Sequence, residues 1–216
     1  MSDDPLAMRI TSYRIEDTSE GMRRAMLQTS RGTIPLLLHE GKDKGRAVAC
    51  ISGALGGFDG PARLYQRLGE ALPSDGITVA RVNYRLPNDF NECLLDALAA
   101  LSFLKGIGHE RLALMGHSFG GAVAINAGTL NTAVTTVVAL SSQLAGAHVV
   151  GDLAPRPLLL VHGTADTILP HRSSEMIYER AGEPRELMLF EGADHRFSDR
   201  GDELFALVRE WLRQYL

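Results

Sequence analysis

Residues 116–120 read Gly116-His117-Ser118-Phe119-Gly120, which fits the pattern G-x-S-x-G. An apolar run precedes them and an alanine-rich run follows. A serine hydroxyl is a weak nucleophile near neutral pH. It becomes a useful one when a base takes its proton and a third group holds that base in the right tautomer. Two other polar residues also come just after apolar runs: Asp166 follows "RPLLLVHG" and His195 follows "RELMLFE". Asp166 lies 48 positions beyond Ser118, and His195 a further 29 beyond Asp166. Each interval allows one helix and one strand, so all three residues can reach one edge of a parallel sheet. The chemistry of such a set is acyl transfer, with an imidazole as general base and a carboxylate to orient it.

The elements that would deliver these residues are legible as alternating short apolar runs and helical patterns. Strands are predicted at 46–52, 77–83, 111–117, 133–140, 156–163 and 185–191. Helices are predicted at 60–76, 88–105, 119–129, 170–182 and 201–215, with Pro170 well placed to open the fourth. "MRRAMLQTS" and "TIPLLLHE" flank Arg31-Gly32 and read as an antiparallel hairpin. Strands alternating with helices imply right-handed crossovers and a mostly parallel sheet covered on both faces. Reactive groups in such a sheet gather beyond the carboxyl ends of the strands. The expected class is therefore α/β, with the hairpin at the leading edge. Residues 1–8 are expected to be a flexible polar start, and no repeat or linker divides residues 1–216, which read as one domain.

Composition bounds the partners. The chain has 216 residues and a formal net charge of -4, so a strongly basic surface for nucleic acid is not expected. "MSDDPLAM" lacks the basic and apolar regions of a signal peptide, and no apolar run approaches the ~20 residues of a membrane helix. The expectation is a cytoplasmic protein without membrane attachment. Cys50 and Cys93 show no metal or redox spacing and read as reduced core thiols. No two histidines have the H-x-x-x-H spacing of a zinc helix, so neither a metal nor another cofactor is expected.

With strand before and helix after, the Ser118 pentapeptide resembles the nucleophile elbow of the α/β-hydrolase superfamily, and the resemblance runs from about Met22 to the last helix. It implies the order serine, acid, histidine, and hence a Ser118, Asp166, His195 triad. It also implies an oxyanion hole made by the Phe119 amide and a second amide from "GALGGFDGPA", with Ala54 the first choice and Leu55 the second. That loop departs from the H-G-G-G form of many lipases and carries Ser52-Gly53 where His-Gly is common. Many superfamily members insert a lid after the strand that here ends near Leu140, but only the 15 residues "SSQLAGAHVVGDLAP" are available. No cap domain fits there, so the chain is similar to compact lidless hydrolases and to the dienelactone-hydrolase-like branch. Dienelactone hydrolases proper use cysteine at the nucleophile, and this chain has serine.

The resemblance implies hydrolysis of carboxylic esters with short acyl groups. Thioesters, lactones and a non-catalytic binding role stay open as alternatives, and oligomeric state is not legible. Leu55, Phe58, Phe119, Leu144, Ile168, Leu169 and Phe197 fall in loops that should ring the serine, and at least Leu55, Phe58, Leu144, Ile168 and Phe197 are expected to bind substrate. Asp194 adjoins His195 but reads as a solvated or loop-capping acid, and Arg196 as a solvated neighbour. Asp152 and Asp199 lie away from the expected strand end. His117 and His162 read as packed, hydrogen-bonded core residues, while His39, His109, His148 and His171 read as surface or loop residues.

Overall fold

The computed structural model describes residues 7–18 and 21–216. Among these, nine strands form one sheet: β1 (Ile10–Asp17), β2 (Arg23–Thr29), β3 (Gly32–His39), β4 (Arg46–Ile51), β5 (Ile77–Val82), β6 (Arg111–His117), β7 (Val134–Leu140), β8 (Leu158–Gly163) and β9 (Arg185–Phe190). Their order across the sheet is β1-β2-β3-β5-β4-β6-β7-β8-β9. The pairs from β5 through β4 to β9 are parallel, and β1, β2, β3 and β5 pair antiparallel in turn.

Five α-helices cover the sheet: α1 (Leu64–Ala71), α2 (Phe90–Gly106), α3 (Phe119–Leu130), α4 (Arg172–Arg180) and α5 (Gly201–Tyr215). Strands buried on both faces read as unbroken apolar runs, and here alternate residues serve different helices. Ala47, Ala49 and Ile51 of β4 face the core beneath α2 and α3, whereas Val48 and Cys50 face the core beneath α1 and α5. Both cysteines are free, and burial pushes their thiols up, Cys93 to about 12.

Register carries the argument toward the site. Ile51 pairs with Gly116, Leu140 with His117 and Phe190 with Gly163. The carboxyl ends of β4, β6, β7, β8 and β9 thus finish along one edge, and the loops that follow them share it.

Several boundaries shift from the sequence reading. α2 begins at Phe90 because Asp89 caps it, its side chain accepting from the Glu92 amide at 3.1 Å. α4 starts at Arg172, two positions after Pro170. The hairpin is one strand larger than expected, since β1 pairs with β2 at the edge of the sheet. Its residues ITSYRIED are largely exposed on both sides, which removes the apolar alternation that would announce a strand. Of the expected polar start, residues 1–6 lie outside the described residues, and residues 7–8 carry no regular structure. No described helix is long and apolar enough to cross a membrane.

One buried polar contact ties α5 to the sheet. Trp211 Nε1 donates to Thr136 Oγ1 at 2.8 Å, and Thr136 Oγ1 donates to the Pro157 carbonyl at 2.9 Å. Thr136→Val keeps the shape and orphans the indole N–H. The expected cost is about 1–3 kcal/mol, read as a lower urea midpoint with an unchanged slope.

Candidate functional site

Ser118 stands at the junction of β6 and α3 with φ 59° and ψ -120°, a left-handed backbone that costs a non-glycine residue about 1–3 kcal/mol. The strain is held by its surroundings. The Ser118 amide donates to the Leu140 carbonyl at 2.8 Å, and the Ser118 carbonyl accepts from Gly121 at 3.0 Å. The flanking glycines are required by space. A Cβ on Gly116 would lie 1.9 Å from the Gly120 carbonyl oxygen, and one on Gly120 would lie 2.2 Å from that of Ser52. These obstacles are backbone atoms, which cannot rotate away.

Asp166 follows β8, and its side chain is fully buried. One carboxylate oxygen accepts from the amides of Ile168 and Leu169, each at 2.8 Å. The other meets His195 Nδ1 at 2.6 Å and His162 Nε2 at 3.1 Å. Burial alone would raise this carboxyl; the Leu169 amide, His195 and the Ile168 amide outweigh it and hold the group below the usual range. His195 is itself buried, and its Nδ1–H bond to a carboxylate leaves Nε2 as the free, basic nitrogen.

His162, read from the sequence only as a packed residue, is a further partner of Asp166. Its Nε2 faces two acceptors, the carboxylate and the Leu169 carbonyl at 3.1 Å, so the proton sits on Nε2. Nδ1 then accepts from Ser174 Oγ at 2.7 Å. Spacing alone hid this role, because the contact depends on how the loop folds back after Gly163. His117 is hydrogen-bonded as expected, its Nε2 donating to the His195 carbonyl at 2.9 Å.

Ser118 and His195 line one cavity of about 390 Å³. Among the described residues no hydrogen bond joins the Ser118 hydroxyl to His195. Such bonds are commonly long or misaligned before a substrate is seated. Ala54, Leu55, Phe58 and Ile168 also line the cavity. Leu55 and Ile168 stand at its rim, 89% and 65% exposed.

Other residues singled out in the sequence lie elsewhere. Phe197 is fully buried against Phe190, ring centroids 5.7 Å apart, and Leu144 packs on the core beneath α2 and α3. The Phe119 ring packs edge-on to Phe90 and Tyr84, leaving its amide as the part nearest the serine. Leu169 is outside the lining and contributes its amide to Asp166. Asp194 caps its own loop, accepting from the amides of Arg196 at 3.0 Å and Ser198 at 2.9 Å. Arg196, read as a solvated neighbour, is exposed yet lines the cavity. His109 is buried rather than superficial, and His39 lies within β3.

The Ser52–Pro61 wall is pinned from below. Buried Arg81 of β5 donates to the Phe58 carbonyl at 2.9 Å and pairs with Asp59, while Asn83 accepts from the Gly57 amide at 2.8 Å. Gly56 closes a turn onto Gly53 at 3.0 Å, presenting Ala54 and Leu55 at its tip.

A family model for the dienelactone hydrolase family matches residues 62–214. The chain belongs to the dienelactone hydrolase family. The uncharacterized protein YfhR of Escherichia coli strain K12 is 30% identical over 121 residues, a stretch covering 44% of this chain. That match spans only 43% of YfhR. Among solved structures, a dienelactone hydrolase from Anabaena variabilis superposes with a TM-score of 0.75 at 18% identity, covering 87% of this chain and 94% of that one. XC6422 of Xanthomonas campestris, described as a serine hydrolase without lid, gives 0.74 at 17% identity, covering 93% and 98%. At these identities the structural likeness speaks to fold, and the family match extends from the start of α1 to the end of α5.

Two neutral histidines beside the site have a consequence for stability. Burial pushes His117 from 6.5 down to about 4 and lowers His162 too. The unfolded chain therefore takes up these protons first. Stability from His117 is complete above about pH 6.5 and is lost as pH falls toward 4, and His162 contributes in the same direction. Urea unfolding across this window should show a falling free energy, and His117→Gln should flatten part of the slope.

Proposed function

We propose that this chain is a serine hydrolase that cleaves carboxylic esters with short acyl groups through an acyl-enzyme. One observation carries the reading: a strained serine and an imidazole oriented by a buried carboxylate line the same cavity. Ser118 Oγ attacks the ester carbonyl as His195 Nε2 takes its proton. Asp166 holds the imidazole and stabilises its charge once protonated. The tetrahedral oxyanion sits between the amides of Phe119, at the first turn of α3, and Ala54, with Leu55 as the alternative donor. His195 then gives the proton to the leaving alcohol, and water repeats the sequence to free the acid.

The substrate is a small molecule met in water, and residues 1–216 act as one α/β-hydrolase domain. Thioesters and lactones form the same oxyanion and belong to the substrate panel. A fluorophosphonate should modify Ser118, and Ser118→Ala should lose aryl ester hydrolysis by several orders of magnitude. Asp166→Asn should cost far more activity than Asp194→Asn, since the Asp166 carboxylate bonds the His195 ring while that of Asp194 bonds Arg196 and Ser198. Full activity in the alanine variant, with labelling elsewhere, would leave the chain as a binding protein with a hydrolase scaffold.

Fifteen residues between β7 and the Arg156 turn leave no chain for a lid over the cavity. Each methylene that finds apolar cover gains about 0.8 kcal/mol, and one left in water gains nothing. Across p-nitrophenyl esters from acetate to palmitate, kcat/KM should rise only to roughly four to six carbons, an estimate from that increment. No jump is expected on micelle formation; a maximum at long chains with interfacial activation would contradict the open site.

A further inference from the structure

His117 has a second nitrogen that the proposed triad leaves unused. Its Nε2 is committed to the His195 carbonyl, which can only accept, so Nε2 carries the proton. A neutral imidazole of that tautomer has a lone pair on Nδ1, and burial keeps the ring neutral at pH 7. Among the described residues Nδ1 has no hydrogen-bond partner, and His117 lines the cavity beside Ser118.

The neighbouring wall leaves this nitrogen accessible. A Cβ on Gly53 would lie 3.8 Å from His117 Nδ1 and 3.6 Å from Ser118 Cβ, so the bare glycine keeps space open before both. Ser52 sits one step beyond the Ile51 and Gly116 pair, next to His117 across the sheet. Its hydroxyl is buried and unpartnered, which makes this patch polar where a lipid-like chain would need it apolar. The His117 and His195 rings lie 4.7 Å apart, so Nδ1 is close to the imidazole assigned to protonate the leaving alcohol.

We propose that His117 Nδ1 is a substrate-binding acceptor for a free hydroxyl on the leaving alcohol, so that the preferred substrates are monoesters of diols or polyols. This rests on the esterase reading above. An ester alcohol carrying a second hydroxyl presents the O–H donor that Nδ1 lacks, and it does so near the oxygen that His195 protonates. On this assignment the acyl side of the ester makes no use of this nitrogen.

The test compares pairs of equal size. On the alcohol side, 2-hydroxyethyl butyrate is set against propyl butyrate; on the acyl side, ethyl 3-hydroxybutyrate is set against ethyl 3-methylbutyrate. For the wild-type chain, kcat/KM should favour the hydroxylated member of the alcohol pair by roughly three- to tenfold, the effect of one neutral hydrogen bond. The acyl pair should show no comparable preference. His117→Gln keeps a donor in reach of the His195 carbonyl but no acceptor at the place of Nδ1, and should bring the alcohol ratio toward one. His117→Asn puts an amide oxygen near that place and should retain the ratio even if both rates fall. A wild-type ratio near one with both esters cleaved, a preference confined to the acyl pair, or equal loss in both variants would overturn the assignment. Failure of folded protein to cleave any of the esters would instead remove the esterase reading on which it depends.

Discussion

A helix can begin directly after a strand only where the two backbones come into contact, and the position of Ser118 in the site depends on such close backbone contacts. Gly116 of β6 meets the Gly120 carbonyl, and Gly120 meets the Ser52 carbonyl at the end of β4. Three backbone segments are thereby locked together without any side chain between them. That contact holds Ser118 in its strained conformation and sets the Phe119 amide at the head of α3. It also fixes the start of the loop bearing Ala54 relative to the serine. A methyl group at either glycine would have to part a strand from a helix, which is why side-chain repacking cannot rescue it.

The second constraint is electrostatic. A carboxylate as buried as that of Asp166 is stable as an anion only when its oxygens are well supplied with donors. Here four donors come from three places: two amides in its own loop, His162 of β8 and His195 beyond β9. The same arrangement fixes which nitrogen of each imidazole carries hydrogen. The His162 proton points at the carboxylate, and the His195 proton does likewise, leaving the opposite nitrogen of His195 for the cavity. His117 adds a bond to the His195 backbone, so the imidazole is oriented from its side chain and from its main chain. One charge thus organises the loops beyond two strands.

Much of this was legible in the sequence, and for identifiable reasons. The parallel strands bury both faces, so each appears as an apolar run, and the residues just beyond those runs fall on one edge by topology alone. Ser118, Asp166 and His195 stand out in the sequence because they occupy such positions. β1 was not, because an edge strand with two wetted faces carries no apolar alternation. The pocket lining was read only in part. Leu55, Phe58 and Ile168 line the cavity, whereas Phe197 and Leu144 turn into the cores. Loop residues of one apolar type can face either way, and the choice depends on long-range contacts such as Phe190 on Phe197. The same holds for His162 and Arg81, whose partners lie on loops that fold back.

What remains adjustable in such a scaffold is one wall of the cavity. Residues 52–61 form most of one side of the cavity, and they are anchored mainly by groups beneath them: Arg81, Asn83, and Tyr65, whose hydroxyl donates to the Ile51 carbonyl at 2.8 Å. These anchors hold the path of the backbone and place no demand on which side chains face the cavity at Leu55 and Phe58. The elbow and the carboxylate loop have no such latitude, since their geometry is set by backbone contact and by a saturated charge. On the proposed esterase reading, selection among substrates would fall to two kinds of surface. The exposed tip at Leu55 can change without disturbing the fold, whereas His117 is bound into the elbow and can discriminate only through the one nitrogen that the fold leaves free.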